Sequence, residues 1–227
     1  MRKLITNIIG ALSFAVIVIA LYMAFLYAPT EQTMGHVQRI FYFHVSFAWT
    51  SFIAFFVAFL ASIMYLIQKK RFWDIVASSS VEIGVAFCLI ILTTGPIWGK
   101  PVWGAYWTWD PRLVTTLILL FIYMAYLMLR NAIDEETKRG KFSAVLGIIG
   151  FLDVPIVYLS VNLWSRTIHP DVIKPKGAAL DPRMLQTLYV ALLGVTLFYV
   201  FTLFRRIRLE ELRDEVRELR KKILKEN

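Results

Sequence analysis

Histidine is the scarcest of the metal-binding residues that recur in this 227-residue chain: His36, His44 and His169 are the only three. An imidazole titrates near neutrality and is the commonest metal ligand, though a single one near a membrane surface is usually just a polar interfacial group. Between His44 and His169 lies "WGKPVWGAYWTWDPRLVT", Trp98 to Thr115, which holds four of the seven Trp: Trp98, Trp103, Trp107 and Trp109. Two Gly and two Pro in the same stretch predict an irregular segment rather than a smooth helix. Zinc would want three or four ligands, with Cys or carboxylates to supplement His, and few carboxylates are close by. Haem asks for one or two axial imidazoles, flat aromatic surface against the macrocycle, and cations for its propionates. Arg39, Arg112 and Arg166 lie at a suitable level for the last of these. Trp also enriches at membrane interfaces for its own sake, so the cluster alone fits an aromatic belt as well as a cofactor platform.

The elements that must position these residues are membrane helices. The chain is 58% hydrophobic with a mean hydropathy of +0.62, too apolar for an ordinary soluble domain. Six apolar runs are long enough to cross a bilayer: about 6–27, 40–67, 75–98, 113–130, 142–164 and 184–204. Unpaired backbone in lipid is costly, so each run is expected to be a helix, and the alternating short segments of a membrane barrel are absent. The predicted fold class is therefore an all-α integral membrane protein, a bundle of six transmembrane helices. Residues 1–204 form the membrane domain, with the Trp-rich segment at 98–115. Residues 205–227 form a charged helical tail.

Six crossings put both termini on one side. Of the 25 Lys and Arg, eighteen fall on the terminal side and seven on the other. The positive-inside rule then makes both termini cytoplasmic and turns the Trp-rich segment outward. The net charge of +9 is explained by this asymmetry and requires no nucleic acid. The charged start and apolar run at the N-terminus lack a convincing cleavage site, which predicts an uncleaved first span. Cys88 is the only cysteine, which excludes an intrachain disulfide, a C-x-x-C redox pair and a C-x-x-C-H haem attachment site.

Spans four and six open with the same phrase, "DPRLVTTL" and "DPRMLQTL". Asp110 and Asp181 suit the N-cap, and Pro111 and Pro182 the first helical position. Arg112 and Arg183 oppose the helix dipole there, so they either anchor lipid head groups or meet a bound anion. Glu82 and Asp153 fall inside spans, where an ionisable group is a functional candidate unless it is a neutral glue between helices or is wetted near the surface. The tail carries Leu209, Leu212, Val216, Leu219 and Ile223 at spacings of three and four, a short heptad seam. A plain surface helix, a helix lying on the anionic inner leaflet, and a docking helix all fit that seam.

The Trp-rich segment, with "FYFHV" around His44 and "SVNLWSRTIH" before Pro170, resembles the signature of the cytochrome c assembly family of haem-handling membrane proteins, defined by their WWD domain. The resemblance runs from about Gly35 to Asp181, and six spans in a chain of this size match its CcmC members most closely. It implies binding of haem b, as a non-covalent passenger, at the outer face of the inner (cytoplasmic) membrane. It implies His44 and His169 as axial metal ligands, and Trp98, Trp103, Trp107, Trp109 and Asp110 as the cofactor-binding platform, with Arg112 beside it. His36 has no counterpart. The implied function is delivery of haem to the periplasmic chaperone CcmE for c-type cytochrome biogenesis, without catalysis in the strict sense. The implied partners are CcmE, the small membrane protein CcmD and the ABC transporter of CcmA and CcmB, besides the lipid bilayer. A b-type membrane redox protein would instead place paired His deep in the spans, and a small-molecule transporter would line the midplane with polar groups or broken helices.

Overall fold

The structure is a computed structural model, and it describes residues 2–163, 173–174, 177–178 and 180–226. His169 and Arg166 lie outside the described residues. Among the described residues there are seven α-helices: α1 (Arg2–Tyr22), α2 (Arg39–Gln68), α3 (Arg71–Trp103), α4 (Pro111–Ala132), α5 (Glu136–Phe151), α6 (Asp153–Leu163) and α7 (Pro182–Glu226). Extended pairing among the described residues is confined to a two-residue ladder, Ile173–Lys174 against Gly177–Ala178, and a bridge between Glu31 and Gly35.

Six helical segments are long and apolar enough to cross a membrane, one for each predicted run. The fifth is made of α5 and α6 together, interrupted at Leu152, where the backbone bond tightens to Ile149. Pro155 explains the interruption, because its ring clashes with the carbonyl one turn back, on Phe151. The sixth runs on into the charged helical tail expected at 205–227, so that α7 is one unbroken helix of 45 residues.

Packing places α2 and α3 at the centre. They lie against each other, with α7 touching both, α4 on α3, α5 on α2 and α6 closing against α4. The first helix rests almost wholly on α7. Ser13, midway along α1, donates to the Gly194 carbonyl, and Tyr27, in the π-helical turn Met23–Tyr27 that follows α1, donates to Gln186. The main core joins Phe55, Val81, Cys88, Leu119, Tyr123 and Val157 from α2, α3, α4 and α6, with Phe55 and Tyr123 stacked at 4.0 Å. Gly84 is required there, since a Cβ would fall 2.6 Å from the Phe55 ring. A second core, under the Trp-rich end, joins Ala24, Phe41, Tyr42, Trp98, Met184 and Leu188. It makes that end of α3 a fixed base for what it carries.

At the terminal end of the bundle, ion pairs replace apolar contacts. Buried Asp74 on α3 accepts from Arg130 of α4 at 2.5 and 3.0 Å and also from Arg71. Arg71 reaches Glu136 on α5 at 2.8 Å and Asp214 on α7 at 2.9 Å. Glu82, expected to be a neutral glue or wetted, is ionically paired with Arg206 of α7. Its charge is compensated across two helices, which favours a structural role over a path through the bundle.

Candidate functional site

The Trp-rich segment divides in two. Trp98–Trp103 is helical and forms the last turns of α3, although Pro96 and Pro101 lie inside that helix. The expectation of an irregular stretch holds only from Gly104 to Asp110. Gly104 ends α3 with a φ of 73°, in the left-handed region that glycine tolerates, and its N–H caps the Lys100 carbonyl at 2.9 Å. Thr93 and Thr94 donate to carbonyls one turn earlier, at 2.9 and 2.7 Å, a pattern that goes with bending near prolines.

This extension of α3 brings Thr94 and Trp98, one turn apart, against Gln38, Phe41 and His44 at the start of α2. His44 Nδ1 lies 3.0 Å from Thr94 Oγ1. Thr94 Oγ1 also lies 2.7 Å from the Ile90 carbonyl, which can only accept; with the hydroxyl proton in that bond, Oγ1 would accept from Nδ1–H. In that tautomer the lone pair falls on Nε2, as a metal ligand needs. Gly95 provides the room, because a Cβ there would sit 3.0 Å from His44 Cε1. Trp98 stacks obliquely on His44 at 5.7 Å and on Phe41 at 5.5 Å, and its indole N–H donates to Gln38 Oε1 at 3.0 Å. His44 is 7% exposed and Trp98 4%.

The other three indoles differ from Trp98. Trp103 folds back over Gly99, whose missing Cβ would otherwise meet the ring at 2.4 Å. Trp107 is half-buried, and Trp109 is 79% exposed, the most open large side chain at this end. Trp107 and Trp109 meet edge to face at 5.8 Å and 85°. The four rings are thus not one sheet. One is structural support under His44, and three lie on or near the surface.

Asp110 and Asp181 both cap. Their Oδ1 atoms accept from the N–H groups of Arg112 at 3.0 Å and Arg183 at 2.8 Å, while their carbonyls take Val114 and Leu185. Asp110 is buried and Asp181 is not. Arg112 donates to the Tyr158 carbonyl at 2.9 Å, a bond to the last turns of α6, where a cation complements the helix dipole. It therefore fastens the start of α4 to α6. His36 is exposed in the 3-10 turn His36–Gln38, ahead of α2. No group of three or more His, Cys, Asp or Glu that could hold a metal occurs among the described residues.

Sequence reasoning missed Thr94 and Gln38. Thr94 lies four residues before Trp98, one turn along the same face of α3, whereas Gln38 lies just ahead of α2 and meets Trp98 only through the packing of α2 on α3.

Residues 1–222 match the family described as "CcmC: Heme exporter protein C". The chain belongs to the CcmC family. It is 34% identical over 212 residues to "Heme exporter protein C" of Bradyrhizobium diazoefficiens, covering 93% of this chain and 80% of the relative. It is 31% identical over 196 residues to the protein of the same name in Escherichia coli (strain K12), covering 86% and 79%. A "Putative cytochrome c biosynthesis ccmC-like mitochondrial protein" of Marchantia polymorpha is 31% identical over 185 residues, covering 82% and 78%. Alignment of this extent with CcmC family members takes in the helices that carry the Trp-rich end as well as the bundle behind them.

Proposed function

We propose that this protein holds haem b at the periplasmic face of the cytoplasmic membrane and delivers it to CcmE during maturation of c-type cytochromes. The observation that carries the reading is the 3.0 Å contact of His44 Nδ1 with Thr94, which leaves Nε2 for a ligand, beside four indoles in a chain of the CcmC family. Haem is cargo here, not a resident catalyst, and the role is transport and assembly. His44 and His169 are the proposed axial ligands. Trp103, Trp107 and Trp109 supply the apolar contact surface, Trp98 braces His44, Asp110 holds the start of α4, and Arg112 is the nearby cation. Charge asymmetry supports the orientation, with both termini in the cytoplasm. CcmD and the CcmA/CcmB transporter are the proposed assembly partners.

His44 and Trp98 are buried while Trp109 is exposed, which suits a passenger. A rigid inner residue orients the load, and open aromatic surface lets a second protein approach it. The test is transfer. Purified, haem-loaded protein in nanodiscs is mixed with apo-CcmE, and covalent haem on CcmE is followed by its absorbance after denaturing gel separation. Loss of haem from the donor matched by gain on CcmE supports the reading. Haem that stays on the donor while cycling between redox states with quinol points to a b-type cytochrome instead.

A further inference from the structure

The α7 tail leaves the bundle as an unbroken helix, and its two faces are unlike. Leu203 is buried and Ile207 half-buried against α2 and α3, and Asp214, further along the same face, is bonded to Arg71. Val216 lies nine residues beyond Ile207, about two and a half turns, so it points away from the bundle. Leu209, Leu212, Leu219 and Ile223 share its side, and Val216, Leu219 and Ile223 are each more than half exposed. The helix is unbroken and pinned by Arg71 and by the Glu82–Arg206 pair, so the tail carries on the direction of the span instead of turning to lie along a leaflet. Its apolar seam is therefore lifted clear of lipid, over a reach of roughly 30 Å beyond Arg205.

We propose that this seam pairs with the same seam of a second copy of the chain, as a short parallel two-stranded coiled coil beneath the membrane bundle. Two copies in one membrane must project their tails from the same side and in the same direction, so a self-pair is parallel. Leu209, Val216 and Ile223 then occupy the a positions, and Leu212 and Leu219 the d positions. In that register Glu215 (g) faces Arg220 (e) of the second copy, an attractive pair on each side of the seam. The opposing Arg208 and Arg213 are engaged within their own helices, Arg208 by Glu211 at 3.4 Å and Arg213 by Glu210 at 2.6 Å, while Glu215, which reaches Arg208 at 3.1 Å in the single chain, turns to Arg220 on pairing. The face with Asp214, Lys221 and Ile207 lies opposite the seam and is directed at the protein's own bundle or at solvent, so the two bundles do not compete for the paired surface. Only about two and a half heptads are available, and confinement to one membrane, which raises the local concentration of tails, offsets that shortness.

The test uses the full chain in membranes. Val216→Cys and Leu219→Cys place a thiol in the seam, and Lys221→Cys places one on the opposite face. Cys88 is buried, so the wild-type chain is the control for background linking. Under mild oxidation, both seam variants should form a disulfide-linked species of twice the chain mass, about fivefold or more above Lys221→Cys. In the Val216→Cys background, Glu215→Arg and Arg220→Glu should each lower linking roughly threefold, and the two together should restore it. Equal linking from both faces, no linking from the seam, or indifference to charge reversal would each overturn the proposal. A tail reserved for a different protein would give no self-linked seam and would count against it in the same way.

Discussion

His44 Nδ1 lies 3.0 Å from Thr94 Oγ1, which is also 2.7 Å from the Ile90 carbonyl. A hydroxyl in α3 is thus placed to select the tautomer of an imidazole in α2. Two central helices, each fixed by packing behind the site, are needed to make that selection.

If Thr94 sets the tautomer, Thr94→Val should weaken haem binding by about 10- to 100-fold, the usual loss when the outer partner of a ligating His is removed. Thr94→Ser keeps the acceptor and should bind close to wild type. Haem titration of the purified proteins, followed at the Soret band, distinguishes the two. Equal binding by Val and Ser variants would make the contact incidental.

The indoles should separate by role. Trp98→Ala removes a buried ring and leaves Gln38 without its donor, at a cost of about 3–5 kcal/mol. Its melting temperature in detergent should fall clearly even without haem. Trp109→Ala removes an exposed ring and should leave the melting temperature within a few degrees while reducing haem retention or transfer. Thermal unfolding of the two variants with and without haem checks both statements.

Asp110 is tested by the difference between its two obvious replacements. Asparagine caps a helix about as well as aspartate, whereas alanine loses about 1 kcal/mol. Asp110→Asn should keep both stability and haem transfer, and Asp110→Ala should lose stability first. If Asp110→Asn is stable yet fails to transfer haem, the carboxylate charge has a role beyond capping.

At the terminal end, Arg130→Ala strips the main partner from buried Asp74. Leaving a buried charge short of compensation costs about 3–5 kcal/mol, toward the lower end here because Arg71 remains. The variant should melt lower and carry haem normally once folded, since α3 lies between this cluster and the Trp-rich end. Circular dichroism melting alongside a haem titration gives both readouts.

Much of the architecture follows from hydropathy alone. Each of the six apolar runs became a spanning helix, because lipid leaves the backbone no alternative. Composition is blunter about helix ends. The repeated Asp-Pro-Arg phrase located the starts of α4 and α7 because capping is a local interaction. The end of α3 was misjudged, since Pro96 and Pro101 fit a helix whose Thr hydroxyls and aromatic packing take up the strain. Charge density marked residues 205–227 as a helical tail but not the clamps Arg71–Asp214 and Glu82–Arg206, which join residues more than a hundred positions apart. The same limit applies to the site. His44 and the Trp cluster announce themselves by residue type, but the pairing of His44 with Thr94 and of Trp98 with Gln38 depends on the register between α2 and α3, which no single segment encodes.

The most direct measurement is the low-temperature electron paramagnetic resonance spectrum of ferric haem bound to the purified protein, compared with its His44→Ala, His169→Ala and His36→Ala variants. Bis-imidazole ligation by His44 and His169 predicts a low-spin signal in the wild type and in His36→Ala, and its conversion to high spin in each of the other two, with membrane insertion unchanged. A wild-type low-spin signal that survives in His44→Ala would contradict it.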